Sequence, residues 1–346
     1  MNDVAESTTW SSLCDTLFAQ TRFGIELGLD RMHAALEAEG RPETHAPSIS
    51  VAGTNGKGGT AAFVSAILNA HGVRPGLYTS PHIVDLRERF RVEGRPLSVE
   101  AIEPIATRVL ETFGESGTGE VRLTFFELTT VMAAILLRNA ETQADIYEVG
   151  LGGRLDAVNA IEPSLSVVTT IGLDHTDYLG ETIREVAAEK AGIFRTGIPA
   201  VIGRQDDPDA LDVLSESGPS QMRIYGRDFG ADQDGQDVTF WSETPDVTVE
   251  GLAPRAAHPT RIANMATAVE SARLFLGDAW EAEATRHGVR RTVWPGRLDT
   301  RIIDAGKWGL DRDVELLIDA AHNPAAVDAL FEWLESGPDP LTFDGA

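Results

Sequence analysis

The stretch Ser48-Ile49-Ser50-Val51-Ala52-Gly53-Thr54-Asn55-Gly56-Lys57-Gly58-Gly59-Thr60 decides the class of fold, because a strand of buried type runs directly into a glycine-rich turn carrying one lysine. Glycines let backbone N–H groups crowd around an anion, a lysine adds a point charge, and a helix starting near Thr60 aims its positive end at the same spot. The spacing departs from the standard phosphate-binding loop. That loop wants a glycine where Val51 stands and a hydroxyl residue directly after the lysine, where Gly58 stands. Taken alone, the turn reads equally as a phosphate cradle or as punctuation between a strand and a helix.

Working outward, apolar strand-like runs alternate with helical patterns from Ile49 to Ile202, the signature of stacked βαβ units. Strands are expected over 48–51, 74–79, 144–149, 166–171 and 198–202, and helices over 59–71, 124–138 and 182–191. The expected fold is therefore α/β, a P-loop-type doubly wound, mostly parallel sheet. Such sheets bind ligands at the carboxyl ends of their strands, here Gly53, Ser80, Gly150 and Gly172. Residues 205–255 become rich in Asp, Gly, Ser and Pro. Short runs at 222–225, 238–241 and 247–249 read there as small antiparallel strands, a β-rich appendage. Helices follow over 261–276 and 280–287, and Thr292–Arg297 reads as a link into a second α/β unit with a strand at 315–318 and a helix over 325–334. Two domains are expected, 1–296 and 297–346. The second is an incomplete Rossmann-like unit, because about 50 residues make a thin core and the sequence stops where another strand should enter.

Composition narrows the function classes. The 346 residues are 42% hydrophobic and 24% charged, as in ordinary globular proteins. The longest apolar runs, such as Thr130–Leu137, are too short to span a bilayer, and Met1-Asn2-Asp3 lacks the basic start of a secretory signal. A cytoplasmic protein without a membrane partner is expected. Cys14 is the single cysteine, which excludes an intrachain disulfide and a cysteine-held zinc. With 54 acidic against 29 basic residues the net charge is −25, which argues against nucleic acid as a general partner. Such an acidic surface fits a salty cytoplasm, and a GC-rich genome would also favour arginine over lysine. Lysine occurs only at 57, 190 and 307, and two of the three fall inside motif-like segments.

Several residues carry possible chemistry. Ser80, in Thr79-Ser80-Pro81-His82, follows a strand, where its hydroxyl could ligate a phosphate-bound Mg²⁺ or simply open a Ser-Pro turn. Glu127 lies in the apolar start Phe125-Phe126-Glu127-Leu128, where a carboxylate needs a metal or a partner, or else caps the helix. In the triple-glycine turn of Glu148–Asp156, Arg154 paired with Asp156 could fix the loop. His175, flanked by Asp174 and Asp177, is a plausible metal ligand or an ordinary hydrogen-bonded histidine. Lys190 near a helix C-terminus suits the dipole, and Asp319 after the last strand suits an N-cap.

In this order and at these spacings, the segments resemble the folylpolyglutamate synthase and dihydrofolate synthase family of the Mur ligase superfamily. The blocks are Arg22–Ile25 with Leu27–Met32, Gly53–Gly58, Tyr78–His82, Glu148–Asp156, Asp174-His175, Glu189–Gly192, Pro295–Arg297 and Asp319–Pro324. The resemblance implies ATP-dependent ligation of L-glutamate to dihydropteroate or a folate through an acyl phosphate. It implies that Gly53, Thr54, Asn55, Gly56, Lys57, Gly58, Gly59 and Thr60 hold the phosphates. Ser80 and Glu127 would then ligate one Mg²⁺ and His175 a second, and Lys190 would be a carbamylated lysine serving the metal. Asn264, Arg297, Asp319 and His322 would complete the ATP site as the domains close, with Lys57, Lys190, His175, Asp319 and His322 taking catalytic roles. Gly28, Arg31, His82, Arg154 and Asp156 would border the acid substrate of a monomeric enzyme.

Three departures stand out. Gly59 replaces the family's serine, with Thr60 as a neighbouring hydroxyl, and Arg261 replaces a glutamine three residues before Asn264. The family also continues beyond the point matching Ala346. A truncated relative that binds nucleotide without turnover, and a Mur-type ligase acting on a peptidoglycan precursor, are the alternative expectations.

Overall fold

Five consecutive buried residues form β1 (Ser48–Ala52), whose lack of any exposed face places it in the middle of a sheet covered on both sides. The computed structural model describes residues 2–20, 28–219, 221–235, 237–254, 258–309 and 311–336. Its main sheet continues with β2 (Pro75–Tyr78), β3 (Phe90–Val92), β4 (Arg95–Pro96), β5 (Ala144–Glu148), β6 (Leu165–Val168), β7 (Ala200–Ile202) and β8 (Met222–Ile224), in the order β4-β3-β2-β5-β1-β6-β7-β8. All pairings from β2 across to β8 are parallel, and β3 and β4 add an antiparallel edge. The chain crosses from one side of β1 to the other between β5 and β6. That crossover makes the end of β1 a topological switch point, the usual ligand crevice of such sheets.

Alternate strand residues feed two separate cores. Tyr78, Tyr147, Val168 and Ile202 face a core shared with α1 (Asn2–Ala19), α2 (Asp30–Ala38), α4 (Val99–Phe113), α5 (Phe125–Asn139), α7 (Ile183–Ala191) and α8 (Pro208–Ser217). Ile49, Val51, Ile146 and Val201 face the other, beneath α3 (Lys57–Ala70), α9 (Pro259–Leu276) and α10 (Ala282–Arg291). The short α6 (Thr176–Leu179) lies at the carboxyl edge. No described helix is long and apolar enough to cross a membrane.

The region after Gln205 differs from the sequence expectation. The run at 222–225 is not part of the appendage: β8 pairs in parallel with β7, because α8 supplies one more crossover. The appendage is the antiparallel meander β9 (Phe229–Asp234), β10 (Asp237–Glu243) and β11 (Asp246–Leu252), docked on α9 through Phe229, Phe240 and Val249. A buried Arg223–Glu270–Arg273 group joins β8 to α9, with Glu270 at 2.8 Å from both guanidiniums. Beyond the link at 292–297, β12 (Asp299–Ile303) and β13 (Val314–Ile318) form their own antiparallel pair, with α11 (Ala305–Trp308) between them and α12 (Pro324–Ser336) after them. The motif residues 22–25 and 27, and the last ten residues, lie outside the described residues.

Candidate active site

The turn after β1 is stitched to the end of β6. Thr54 N–H donates to Thr170 O at 2.8 Å, its hydroxyl donates to Gly172 O at 2.9 Å, and the Thr169 hydroxyl donates to Asn55 O at 2.7 Å. Glycine is required twice here for different reasons. Gly53 has φ +146° and a Cβ there would stand 1.9 Å from the Thr169 hydroxyl, while Gly56 has φ +87° and its open face lies against the Asn264 amide. Gly58 makes room for the Trp294 ring, so the linker leans directly on the first turn of α3. Inside that turn the Thr60 hydroxyl is buried with no hydrogen-bond partner.

Two lysines converge on one oxygen. Lys57 Nζ donates to Gly53 O at 3.0 Å and Thr54 O at 3.2 Å, and Lys190 Nζ, brought by the last turn of α7, donates to the same Gly53 O at 3.0 Å. Burial pushes the Lys57 ammonium below its ordinary value against the pull of Glu148, Asp174 and Asp156. Burial, with the Lys57 charge next to it, lowers Lys190 to about 7. Glu148 ends β5 beside them, nearly fully buried, and its Oε2 accepts the Ser80 N–H at 2.9 Å. Burial raises this carboxyl, and Lys57 and the Ser80 amide oppose that rise.

The second unit supplies the opposite wall. Arg297 stands 3.6 Å from Asp319, whose two oxygens accept the Leu298 and Ala321 N–H groups at 2.8 Å each. His322 is exposed and 3.9 Å from Asp174. Between the walls lies a cleft of about 730 Å³ that includes Gly53–Gly59, Ser80, Glu148, His175, Lys190, Asn264, Arg297, Asp319 and His322 in its lining. That volume suits a nucleotide with a second small ligand.

Residues 96–250 match the Mur ligase middle domain. The chain is 35% identical over 332 residues to the Escherichia coli dihydrofolate synthase/folylpolyglutamate synthase, covering 95% of this chain and 73% of that protein. It belongs to the folylpolyglutamate synthase/dihydrofolate synthase family. A probable bifunctional folylpolyglutamate synthase/dihydropteroate synthase of Haloferax volcanii is 33% identical over 321 residues, and this chain spans 90% of itself but only 37% of that longer relative. Among solved structures, E. coli FolC in complex with DHPP and ADP is similar at TM-score 0.80 and 32% identity, with 94% and 75% of the two chains covered. A bifunctional folylpolyglutamate synthase/dihydrofolate synthase with Mn, AMPPNP and L-glutamate bound is similar at TM-score 0.78 and 34% identity, covering 93% and 74%. The family is one of ATP-dependent glutamate ligases that use a divalent cation.

Within this synthase-family site, one expected metal ligand is misplaced. Glu127 does not line the cleft: its Oε1 accepts Arg31 Nε and Nη2 at 3.2 and 3.0 Å, and its Oε2 accepts the Thr124 N–H at 2.8 Å as half of a capping box. Both carboxylate oxygens of Glu127 are thus engaged by Arg31 and the helix start, outside the cleft lining. Glu148 holds the place beside Ser80 instead. The readable signal is its position at the carboxyl end of an apolar strand, just before three glycines. Arg31 is correspondingly spent on Glu127.

Arg154 and Asp156 do not pair. Arg154 is exposed and bonds Glu189 at 2.7 Å, away from the cleft lining, while buried Asp156 accepts the Leu151 and Val158 N–H groups at 2.8 and 3.0 Å and is raised to about 6 by burial. His82 is half-buried, accepts Arg89 Nε at 2.9 Å, and packs beside Phe18. Gly28, at φ +149°, marks the start of the described segment leading into α2. Arg261 stacks over Phe63 and donates to Arg297 O at 3.3 Å, so it braces the second unit.

Among the described residues no group of three His, Cys, Asp or Glu side chains converges to hold a metal ion. The oxygen donors that fit a hard cation are the Ser80 hydroxyl and the Glu148 carboxylate, and the His175 imidazole lines the same cleft.

Proposed function

We propose that this chain itself ligates L-glutamate to dihydropteroate or a folate with ATP, as a cytoplasmic monomer. The observation that carries the reading is the convergence of Lys57, Lys190 and the Ser80–Glu148 pair on the end of β1, facing Arg297, Asp319 and His322 across one cleft. The solved relatives with ADP and DHPP, or with AMPPNP and L-glutamate, support it.

In this reading the Gly53–Thr60 amides and Lys57 hold the β- and γ-phosphates, and Asn264 contacts the nucleotide from α9. The substrate carboxylate oxygen attacks the γ-phosphorus, the bond to ADP breaks, and ADP leaves. The glutamate amine then attacks the acyl carbon, loses its proton and displaces phosphate. Arg297, Asp319 and His322 complete the site from the second unit, and closure excludes water from the acyl phosphate. In this reading Gly28 and His82 border the acid, while Asp156 holds the Leu151–Val158 loop.

Two Mg²⁺ ions, held by Ser80, Glu148, His175 and a carbamylated Lys190, would neutralise charge on the transferring phosphoryl group. A lysine lowered to about 7 offers the neutral amine that adds CO₂ with loss of one proton, which would give a buried carbamate anion.

The test is turnover of the purified chain with ATP, Mg²⁺, L-glutamate and dihydropteroate or tetrahydrofolate, scored as glutamylated product beside a parallel ADP-binding titration. Product requiring all four components is expected. Binding without product would sink the reading in favour of a non-catalytic nucleotide binder, and product only with a peptidoglycan precursor would reassign the substrate.

A further inference from the structure

Asn323 stands between Asp319-Ala320-Ala321-His322 and α12, and its amide reaches two loops of the large domain at once. Its Nδ2 donates to Asn55 Oδ1 at 2.9 Å and to Asp174 Oδ2 at 3.1 Å. Asn55 Nδ2 donates back to its Oδ1 at 3.3 Å, and the same Oδ1 accepts the Ala326 N–H at 3.0 Å, capping α12. Two donors and two lone pairs are thus all engaged, on a side chain that is buried. By contrast, the carboxylate of Asp319 bonds within its own unit, to Leu298 and Ala321, and His322 Nδ1 bonds Ala320 O.

We propose that Asn323 is a positioning residue that sets the register of the second unit on the phosphate loop. Through Asn55 it meets the loop, through Asp174 the turn carrying His175, and through Ala326 the start of α12. The inference rests on the ligase reading, which needs Arg297, Asp319 and His322 to face that loop. Only a short primary amide serves all three contacts. A carboxylate at position 323 would face Asp174 with like charge, and an apolar residue would leave the Asn55 amide and an Asp174 oxygen unpaired.

The experiment compares the full chain with Asn323→Ala, Asn323→Asp and the exchange pair Asn323→Asp/Asp174→Asn, in which the carboxylate at position 323 would accept from the new amide at position 174, from Asn55 and from the Ala326 N–H. Amide hydrogen exchange without ligands should quicken about tenfold over 53–60 and 172–175 in Asn323→Ala while β5 and α5 keep their protection. Turnover should fall about ten- to a hundredfold in kcat with the KM for the acid substrate nearly unchanged. The exchange pair should recover both readouts relative to Asn323→Asp. Unchanged loop exchange overturns the proposal, and so does a loss of protection spread evenly over the fold. A wild-type chain that binds ADP without turnover would overturn the ligase reading, and the exchange measurement would still decide the role of Asn323.

Discussion

Gly53 O accepts from two lysines whose environments differ, and this difference yields separate expectations for the two residues. Lys57→Ala removes the point charge proposed to hold the phosphates and should reduce turnover by more than about a thousandfold; single-turnover assays that retain activity within about tenfold would contradict that proposal. Lys190 titrates near 7 folded and near its ordinary value unfolded, so between those pH values the unfolded chain binds more protons. Stability should therefore rise as pH increases from about 7 toward 10. Lys190→Met should flatten that slope in urea melts under CO₂-free buffer, and an unaltered slope would refute the burial argument. The two glutamates separate in the same way. Glu148→Gln should raise the Mg²⁺ concentration needed for half-maximal activity, whereas Glu127→Gln should leave it unchanged and cost on the order of 1–2 kcal/mol in stability.

At the scale of elements, the alternation of strands and helices around β1 is legible in the sequence because parallel strands buried on both faces read as short, mostly apolar runs, broken here only by isolated residues such as Ser50, Asp145 and Ser166. Shorter pieces are not. β3 and β4 hold three and two residues, too few to show a period, and the composition shift after Gln205 masks β8 as part of the main sheet. Glu127 reads as a metal ligand even though Thr124-Phe125-Phe126-Glu127 is a capping-box pattern; the burial of a carboxylate is visible in sequence, but its partner Arg31 is not. The Arg223–Glu270–Arg273 group is likewise hidden, since it joins β8 to α9 only in space. Removing its centre with Glu270→Leu should strand two half-satisfied arginines and destabilise the chain by about 3–5 kcal/mol. Denaturant midpoints within error of wild type would show the group to be dispensable.

For the whole molecule, a net charge of −25 sets a self-repulsion that no single contact reveals. Raising KCl from 0.1 to 1 M shortens the screening length from about 10 to about 3 Å, so calorimetric Tm should climb by several degrees. An equal climb in sorbitol at matched osmolality would remove charge as the cause.

The largest and the smallest of the three sheets also differ in how they treat their borders. On one side the large one ends in β4, two exposed residues of which one is Pro96, a border that offers almost nothing for another strand to join, and on the other in the three-residue β8. Among the described residues the ribbon of β12 and β13 pairs with no other strand, and Ile302, Val314, Leu316 and Ile318 are exposed. Among the described residues that ribbon is therefore the border with most to offer a second copy, and Leu316→Lys should lower the light-scattering signal of concentrated solutions; an unchanged signal would refute it.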